Sequence, residues 1–497
     1  MARYIMSLDC GTSSIRCVLF DLSGRPISSV SRSVPLSYPA PGYVEEDAEE
    51  IWTKQISAAF EAMTRAECTG RDIAAIGITN QRETVILWDR KTGEPVCPAV
   101  VWQCRRTAER CAELRTEGAE FGIKEKTGLV ADPYFSDTKI EWLLDHIPML
   151  RARAERGEIA FGTVDSWLLY RLSGKRVHLT DVSNASRTML FDLRRGEWDE
   201  ELCGRFRIPM VMLPRVLPSA GCFAESDEAL LGARIPICGV AGDQQASLYG
   251  HGCFAPGELK NTYGTGGFLL LNTGAEPILD RGGGLITTGA WDDGGGMRYA
   301  LEGSVFVCGA AVQWLRDGLG ILDSSADSER LASSVPDSGG VTVVPAFTGL
   351  GAPYWDASAR GAVFGLTRAS TAAHLCRATL EAMAFQTVDV VREMERVTES
   401  SVRSIRADGG AAQNNLLMQL QADLLGVPVR RPDYAEITAR GAAMLAAVGA
   451  GVIADPSEMT ERDSVRVFEP TIGRSERKER YAVWQNCVSR VRENCGK

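Results

Sequence analysis

Apolar and polar positions along this chain switch repeatedly between a period of two and a period near 3.6, which predicts α/β layers. An apolar, β-prone run at 4–8 enters the turn Asp9-Cys10-Gly11-Thr12-Ser13-Ser14, and a second run follows at 15–20. The pattern returns about half a chain later, with 259–262, the turn Tyr263-Gly264-Thr265-Gly266-Gly267, and 268–271. In the first half, a helical pattern at 48–66 precedes strand-like runs at 73–79, 84–88 and 99–102. Residues 105–121 and 136–148 read as helices, and the run 235–241 ends at Gly242 before a helix that starts at Asp243. In the second half, 371–397 carries Leu375, Ala378, Ala382, Phe385 and Val388 at three- and four-residue spacing, a stripe for burial. A strand at 404–407 then meets Asp408-Gly409-Gly410-Ala411-Ala412 and a helix at 413–425. The repeat places a boundary between Gly250 and Pro256, so the expected domains are 1–250 and 251–497 on a short hinge.

Composition narrows the class. At 497 residues the chain exceeds one ordinary core, and 45% hydrophobic with 24% charged residues is a globular balance. A net charge of −10 argues against nucleic acid or anionic membrane as the main partner. The 14 cysteines include no Cys-x-x-Cys pair, so neither zinc spacing nor a disulfide framework is expected. The small-apolar stretch 441–454 is too short to span a bilayer, and the N-terminus reads as a strand rather than a signal peptide. A cytoplasmic enzyme without an integral membrane segment is the expectation.

The turns suggest the chemistry. Glycines let a backbone close tightly, and the N–H groups and hydroxyls of such a turn suit phosphate oxygens. Two of them facing each other would hold one polyphosphate from both sides. Asp243, at a strand end beside such a cleft, reads either as a helix N-cap or as a general base. Asn80-Gln81-Arg82-Glu83-Thr84 is either a solvated turn with a surface ion pair or a set of donors and acceptors for a polyhydroxylated ligand. Trp102 could be core or pocket wall, and Tyr134 precedes a helix that Ser136 could cap.

Longer motifs in this order carry a resemblance. They are Ile78-Thr-Asn-Gln-Arg-Glu-Thr84, Val101-Trp-Gln-Cys-Arg-Arg-Thr107, Thr127 to Ser136, Asn184-Ala-Ser-Arg-Thr-Met-Leu190, Gly242-Asp-Gln-Gln245, Asn261 to Gly266 and Pro345 to Asp356. Over roughly residues 3–490 the chain resembles the FGGY carbohydrate kinases, which have two actin-like (ribonuclease H-like) ATPase domains flanking a nucleotide and substrate cleft. The resemblance implies ATP-dependent phosphorylation of glycerol to sn-glycerol 3-phosphate, with ATP and Mg2+ as cofactors. It puts Arg82, Glu83, Tyr134, Asp243 and Gln244 on the glycerol hydroxyls, and Trp102 and Phe268 against its carbon edge. Asp243 corresponds to the base. Thr12, Ser13, Ser14 and Arg16 correspond to the first phosphate turn, with Arg16 close to the transferred group. Thr265, Gly309, Gln313, Gly410 and Asn414 correspond to nucleotide contacts, and Asp9 with Asp243 to the magnesium site. A homodimer or homotetramer is implied as well. Cys10 stands where a glutamine is usual, and the short Leu230-Leu231-Gly232-Ala233 loop makes inhibition by fructose 1,6-bisphosphate doubtful. The rival readings are a kinase for erythritol or xylulose and an actin-like ATPase whose output is conformational.

Overall fold

Each half of the chain builds a sheet outward from its copy of the hairpin. The computed structural model describes residues 2–460 and 464–493. In the first half, β1 (Tyr4–Cys10), β2 (Ser14–Asp21), β3 (Pro26–Ser33), β4 (Ile73–Asn80), β5 (Ala220–Glu225) and β6 (Pro236–Gly242) form a six-stranded sheet in the order β5-β6-β4-β1-β2-β3. The hairpin strands β1, β2 and β3 are antiparallel, whereas β1, β4 and β6 run parallel. A parallel step needs a crossover, and α1 (Ala48–Arg65), capped by Asp47, lies between β3 and β4.

The second half repeats this order. Strands β7 (Leu259–Tyr263), β8 (Gly267–Gly274), β9 (Ile286–Trp291), β10 (Arg298–Val305), β11 (Ile405–Asp408), β12 (Val429–Pro432) and β13 (Val465–Phe468) form a seven-stranded sheet, β9-β10-β8-β7-β11-β12-β13. Again the first strand pairs antiparallel with its hairpin partner and parallel with the strand after the crossover. Both sheets therefore have the strand order of the ribonuclease H-like fold.

The two halves share a core. The helices α2 (Asp243–Gly250) and α5 (Ile437–Gly449) lie in one apolar cluster with Ile5 and Val18 of the first sheet and Leu270 and Ala300 of the second. Only small residues allow such close backbones. A methyl group at Gly77 or Gly239 would collide with α5, and one at Gly441 would collide with the Ala246 carbonyl oxygen. The small-apolar stretch seen in the sequence is thus largely this buried spacer, and among the described residues no helix is long and apolar enough to cross a membrane.

Two local expectations change. The helix expected at 105–121 is split into Ala108–Thr116 and Ala119–Thr127, because Gly118 takes a left-handed φ of +72° between them. The long helix α3 (Ala372–Thr398) runs as its stripe predicts, while α4 (Asn415–Leu425) starts later than expected, after a 3₁₀ turn at Gly410–Gln413.

A short helix, Val182–Ala185, ties the strand ends that carry the site. Asp181 caps it through Ser183 N and Asn184 N, and Ser219 Oγ donates to the same carboxylate at 2.7 Å. Its Ser183 Oγ accepts the Gly242 N–H at 2.9 Å, and its Asn184 exchanges hydrogen bonds with Asn80. Beneath it, buried Asp165 accepts from Thr163 and Thr180. Burial, and then the Asp181 charge, raise the Asp165 carboxyl from 3.8 to about 7.

Two outcomes follow from this packing. Gly441→Ala should lower the stability measured in urea by about 1–3 kcal/mol, as overpacking does, because backbone must shift to admit the methyl. Gly204→Ala, whose methyl would meet nothing within 4 Å, should stay within about 0.5 kcal/mol. Equal effects would rule out the close approach. The folded Asp165 holds a proton that the unfolded chain releases, so its contribution is full below the unfolded value and is lost as pH rises through about 7. Asp165→Asn removes that titration, so its melting temperature relative to wild type should climb between pH 5 and pH 8. A pH-independent difference would contradict this.

Candidate active site

The polar knot after β4 is interior, not solvated. Gln81, Arg82, Glu83 and Thr84 are all buried, and Glu83 takes a left-handed φ of +63°, with Oε1 3.8 Å from Arg82 Nε. Strain of this kind persists only where neighbours hold it. Here Ser136 Oγ donates to the Glu83 carbonyl at 2.9 Å instead of capping its own helix, and Arg187 Nε donates to Glu83 Oε1 at 2.6 Å.

Arg82 is the hub. Its Nη1 donates to Glu302 Oε2 at 2.5 Å and to Gln245 Oε1 at 3.3 Å, and its Nη2 to Glu302 Oε1 at 3.2 Å and the Tyr134 hydroxyl at 3.1 Å. Its Nε lies 3.3 Å from Asp243 Oδ1. Burial alone would raise the Glu302 carboxyl, yet Arg187 and Arg82 hold it down at about 2. Glu83, with less compensation, is pushed up by burial despite Arg187 and Arg82. Arg187 also lies over the rings of Tyr134 and Phe135.

Around the hub stand aromatic rings from both halves. Trp102 meets Tyr134 edge-on at 5.4 Å and Phe268 at 6.3 Å between centroids. Its Nε1 donates to Thr12 Oγ1 at 2.9 Å, which connects this wall to the first turn. The loop of Tyr134 is pinned by Lys139, whose buried ammonium donates to the carbonyls of Pro133, Tyr134 and Phe135. Desolvation lowers that lysine to about 8.

Asp243 is not an N-cap. Gly242 occupies that position, and Asp243 is the first residue of α2, with Oδ1 accepting its neighbour's Gln244 N–H at 2.7 Å and Oδ2 accepting Gln244 Nε2 at 3.1 Å. The Gln244 amide is oriented from the second half, because buried Lys260 donates to its Oε1 and to Thr262 Oγ1. Burial lowers Lys260 to about 8.

In the first turn, Gly11 N–H closes the hairpin onto the Ser14 carbonyl, and the Ser13 carbonyl accepts Val34 N–H. Arg16 pairs across the hairpin from Asp9 and forms an ion pair with Glu436 at the start of α5. Asp9 rises to about 7, first through desolvation, which Arg16 opposes and Asp243 and Glu436 reinforce. No group of three or more His, Cys, Asp or Glu suited to a metal occurs among the described residues.

Thr265, Gly309, Gln313, Gly410 and Asn414, scattered over the second half, line one cavity of about 480 Å³. Gly309 is required there, and so is Gly409 just before the cavity, whereas a Cβ at Gly410 would meet nothing within 4 Å. A Cβ at Gly309 would lie 2.6 Å from the Gly264 carbonyl oxygen, and one at Gly409 would lie 2.6 Å from that of Tyr263. A second cavity of about 690 Å³ is lined by five acidic residues, Glu45, Glu46, Asp47, Glu49 and Glu94, against two cations, Arg171 and Lys175, an acidic excess unsuited to a polyphosphate.

Sequence reasoning missed Glu302, Arg187 and Lys260 as members of this site. Arg187 lies inside one of the motifs, and a lone charge within the run 299–305 or 259–263 was the available signal for the other two.

Comparison with known proteins identifies the family. A family model for the N-terminal domain of the FGGY family of carbohydrate kinases matches residues 4–250, and one for its C-terminal domain matches 259–450. The chain is 53% identical over 490 residues to a glycerol kinase of Symbiobacterium thermophilum, covering 98% of each. It is 53% identical over 489 residues to glycerol kinase 2 of Thermotoga maritima, again covering 98% of each. Among solved structures it is similar to Plasmodium falciparum glycerol kinase with ADP, at a TM-score of 0.92 and 33% identity over 98% of each chain. Gluconate kinase from Lactobacillus acidophilus, at 24% identity and a TM-score of 0.88 over 99% of this chain and 98% of that one, shares the fold.

Proposed function

The chain belongs to the FGGY family of carbohydrate kinases, and on that premise we propose that it transfers the γ-phosphoryl group of ATP to a terminal hydroxyl of glycerol. The observation that carries the reading is the interlocked set of Arg82, Tyr134, Asp243 and Gln244, walled by Trp102 and Phe268 and joined to the first turn through Thr12. A three-carbon polyol offers donors and acceptors to such a set and carbon to the rings.

In this reaction Asp243 Oδ2 takes the proton of the attacking hydroxyl. The oxygen forms its bond to the γ-phosphorus as the bond to the ADP oxygen breaks, giving sn-glycerol 3-phosphate and ADP. Phosphoryl transfer leaves little covalent work to a protein, so orientation dominates. Asp243 is oriented by the Gln244 N–H, the Gln244 amide and Arg82 Nε. Arg16, Thr12, Ser13 and Ser14 receive phosphate at the first turn. Thr265, Gly309, Gln313, Gly410 and Asn414 form the wall of the nucleotide cavity.

Mg2+ fits the donor set. Burial, reinforced by the Asp243 charge, pushes the Asp9 carboxyl up to about 7, and two neighbouring hard oxygen groups suit a divalent cation. Asp9 and Asp243 would hold the ion, which supplies neutralisation of phosphate charge when bound.

The test is ADP release by purified protein with glycerol, dihydroxyacetone, erythritol, xylulose or no acceptor. Turnover with glycerol well above the others is expected, and turnover in the blank alone would move the chain to an ATPase. Asp243→Asn should lower kcat by about 10²–10⁴, the usual worth of a positioned base, and an unchanged kcat would remove it from the chemistry.

A further inference from the structure

We infer that Glu302 is a positioning residue, supplied by the second half, that holds Arg82 in its acceptor-binding orientation and so makes the acceptor pocket depend on both halves. The inference rests on the glycerol reading above.

Pairing register places it there. Glu302 on β10 stands opposite Leu270 on β8, and Leu270 stands opposite Lys260 on β7, so one transverse row puts an acid and a base on the same face of the second sheet. The next row on that face holds Thr262, Phe268 and Ser304. Side chains two residues apart on a strand share a face, so both rows project toward the first half's pocket. Lys260 reaches Gln244, Glu302 reaches Arg82, and Phe268 reaches Trp102.

Glu302 grips Arg82 through both carboxylate oxygens, the geometry that fixes a guanidinium in plane as well as in place. The same carboxylate accepts Arg187 Nη2 at 3.1 Å and Ser304 Oγ at 3.2 Å. Arg82 and Arg187 repel each other, and Glu83 serves both. Without the Glu302 charge, the nearest remaining carboxylate for Arg82 is Asp243, already 3.3 Å from its Nε, against 3.8 Å for Glu83. Arg82 would then close onto Asp243 and leave the hydroxyls. A side chain with only a structural role would produce no such selective loss.

The test uses the full-length enzyme. Glu302→Gln keeps the shape and removes the charge, so KM for glycerol should rise about 10–100-fold, the worth of a charged hydrogen bond, with KM for ATP within about 2-fold. Arg82→Ala and the Arg82→Ala/Glu302→Gln double variant should have the same kcat/KM for glycerol, since Glu302 acts through Arg82. Additive losses, or parallel rises in both KM values, would overturn the inference. Should Glu302→Gln melt well below wild type, Glu302→Asp keeps the charge one methylene short and should raise KM for glycerol selectively. An unchanged value there would also overturn it. Absence of glycerol turnover in wild type would instead defeat the glycerol reading, so the two failures remain distinct.

Discussion

A balanced set of buried charges constrains everything else in this molecule. Arg82, Arg187, Glu83 and Glu302 have side chains at most 2% exposed, and their formal charges cancel. Removing an ion from water carries an effective penalty of several kcal/mol, which is offset only when partners and hydrogen bonds are complete. Three members come from the first half and one from the second. Displacing the second sheet would strand a net positive charge in a dry place. The orientation of Arg82 and the relative position of the halves are therefore coupled, and α5 sets that position through backbone contacts that only glycine and alanine permit.

The repeated hairpin shows how one backbone device is divided between tasks. In the first half, Cys10 pairs with Ile15 next to the turn, and Asp9 pairs with Arg16 one step further on. In the second half, Tyr263 pairs with Gly267, and Thr262 with Phe268. The second pair is partly exposed in both copies. In the proposed reaction the charged first copy serves phosphate and cation, whereas the Phe268 ring of the second walls the polyol with Trp102. Residue type, not backbone, separates the roles.

Much of this was legible in the sequence because its signals are local. Two Gly-Thr turns between apolar runs identified the hairpins, and the stripe of Leu375, Ala378, Ala382, Phe385 and Val388 identified α3. The site residues of the first half sit in polar clusters at strand ends, where apolar periodicity stops. Glu302 and Lys260 sit inside strands, and the meaning of each is set by a partner elsewhere. Glu302 is 220 positions from Arg82, and no period or spacing encodes that distance. A charge between Leu301 and Gly303 does signal an unmet need for a partner, though not which one. The small-residue stretch 441–454 had an equally incomplete meaning. Its length excluded a bilayer span, while its role as spacer between halves depends on the sheet order.

The amide of Gln244 shows why the second half must take part in the proposed proton transfer. An amide can present either its oxygen or its nitrogen to Asp243, and the two choices have opposite effects on a carboxylate. Lys260 has only donors, so its contact fixes the Gln244 oxygen toward the second sheet and turns the nitrogen toward Asp243 Oδ2. The other oxygen, Oδ1, is engaged by the Gln244 N–H and Arg82. Oδ2 is left with one side-chain donor, which makes it the oxygen with capacity to accept a proton from a hydroxyl. Lys260 touches neither reactant in this scheme. It nonetheless decides, from a strand of the opposite sheet, which face of the amide the base meets.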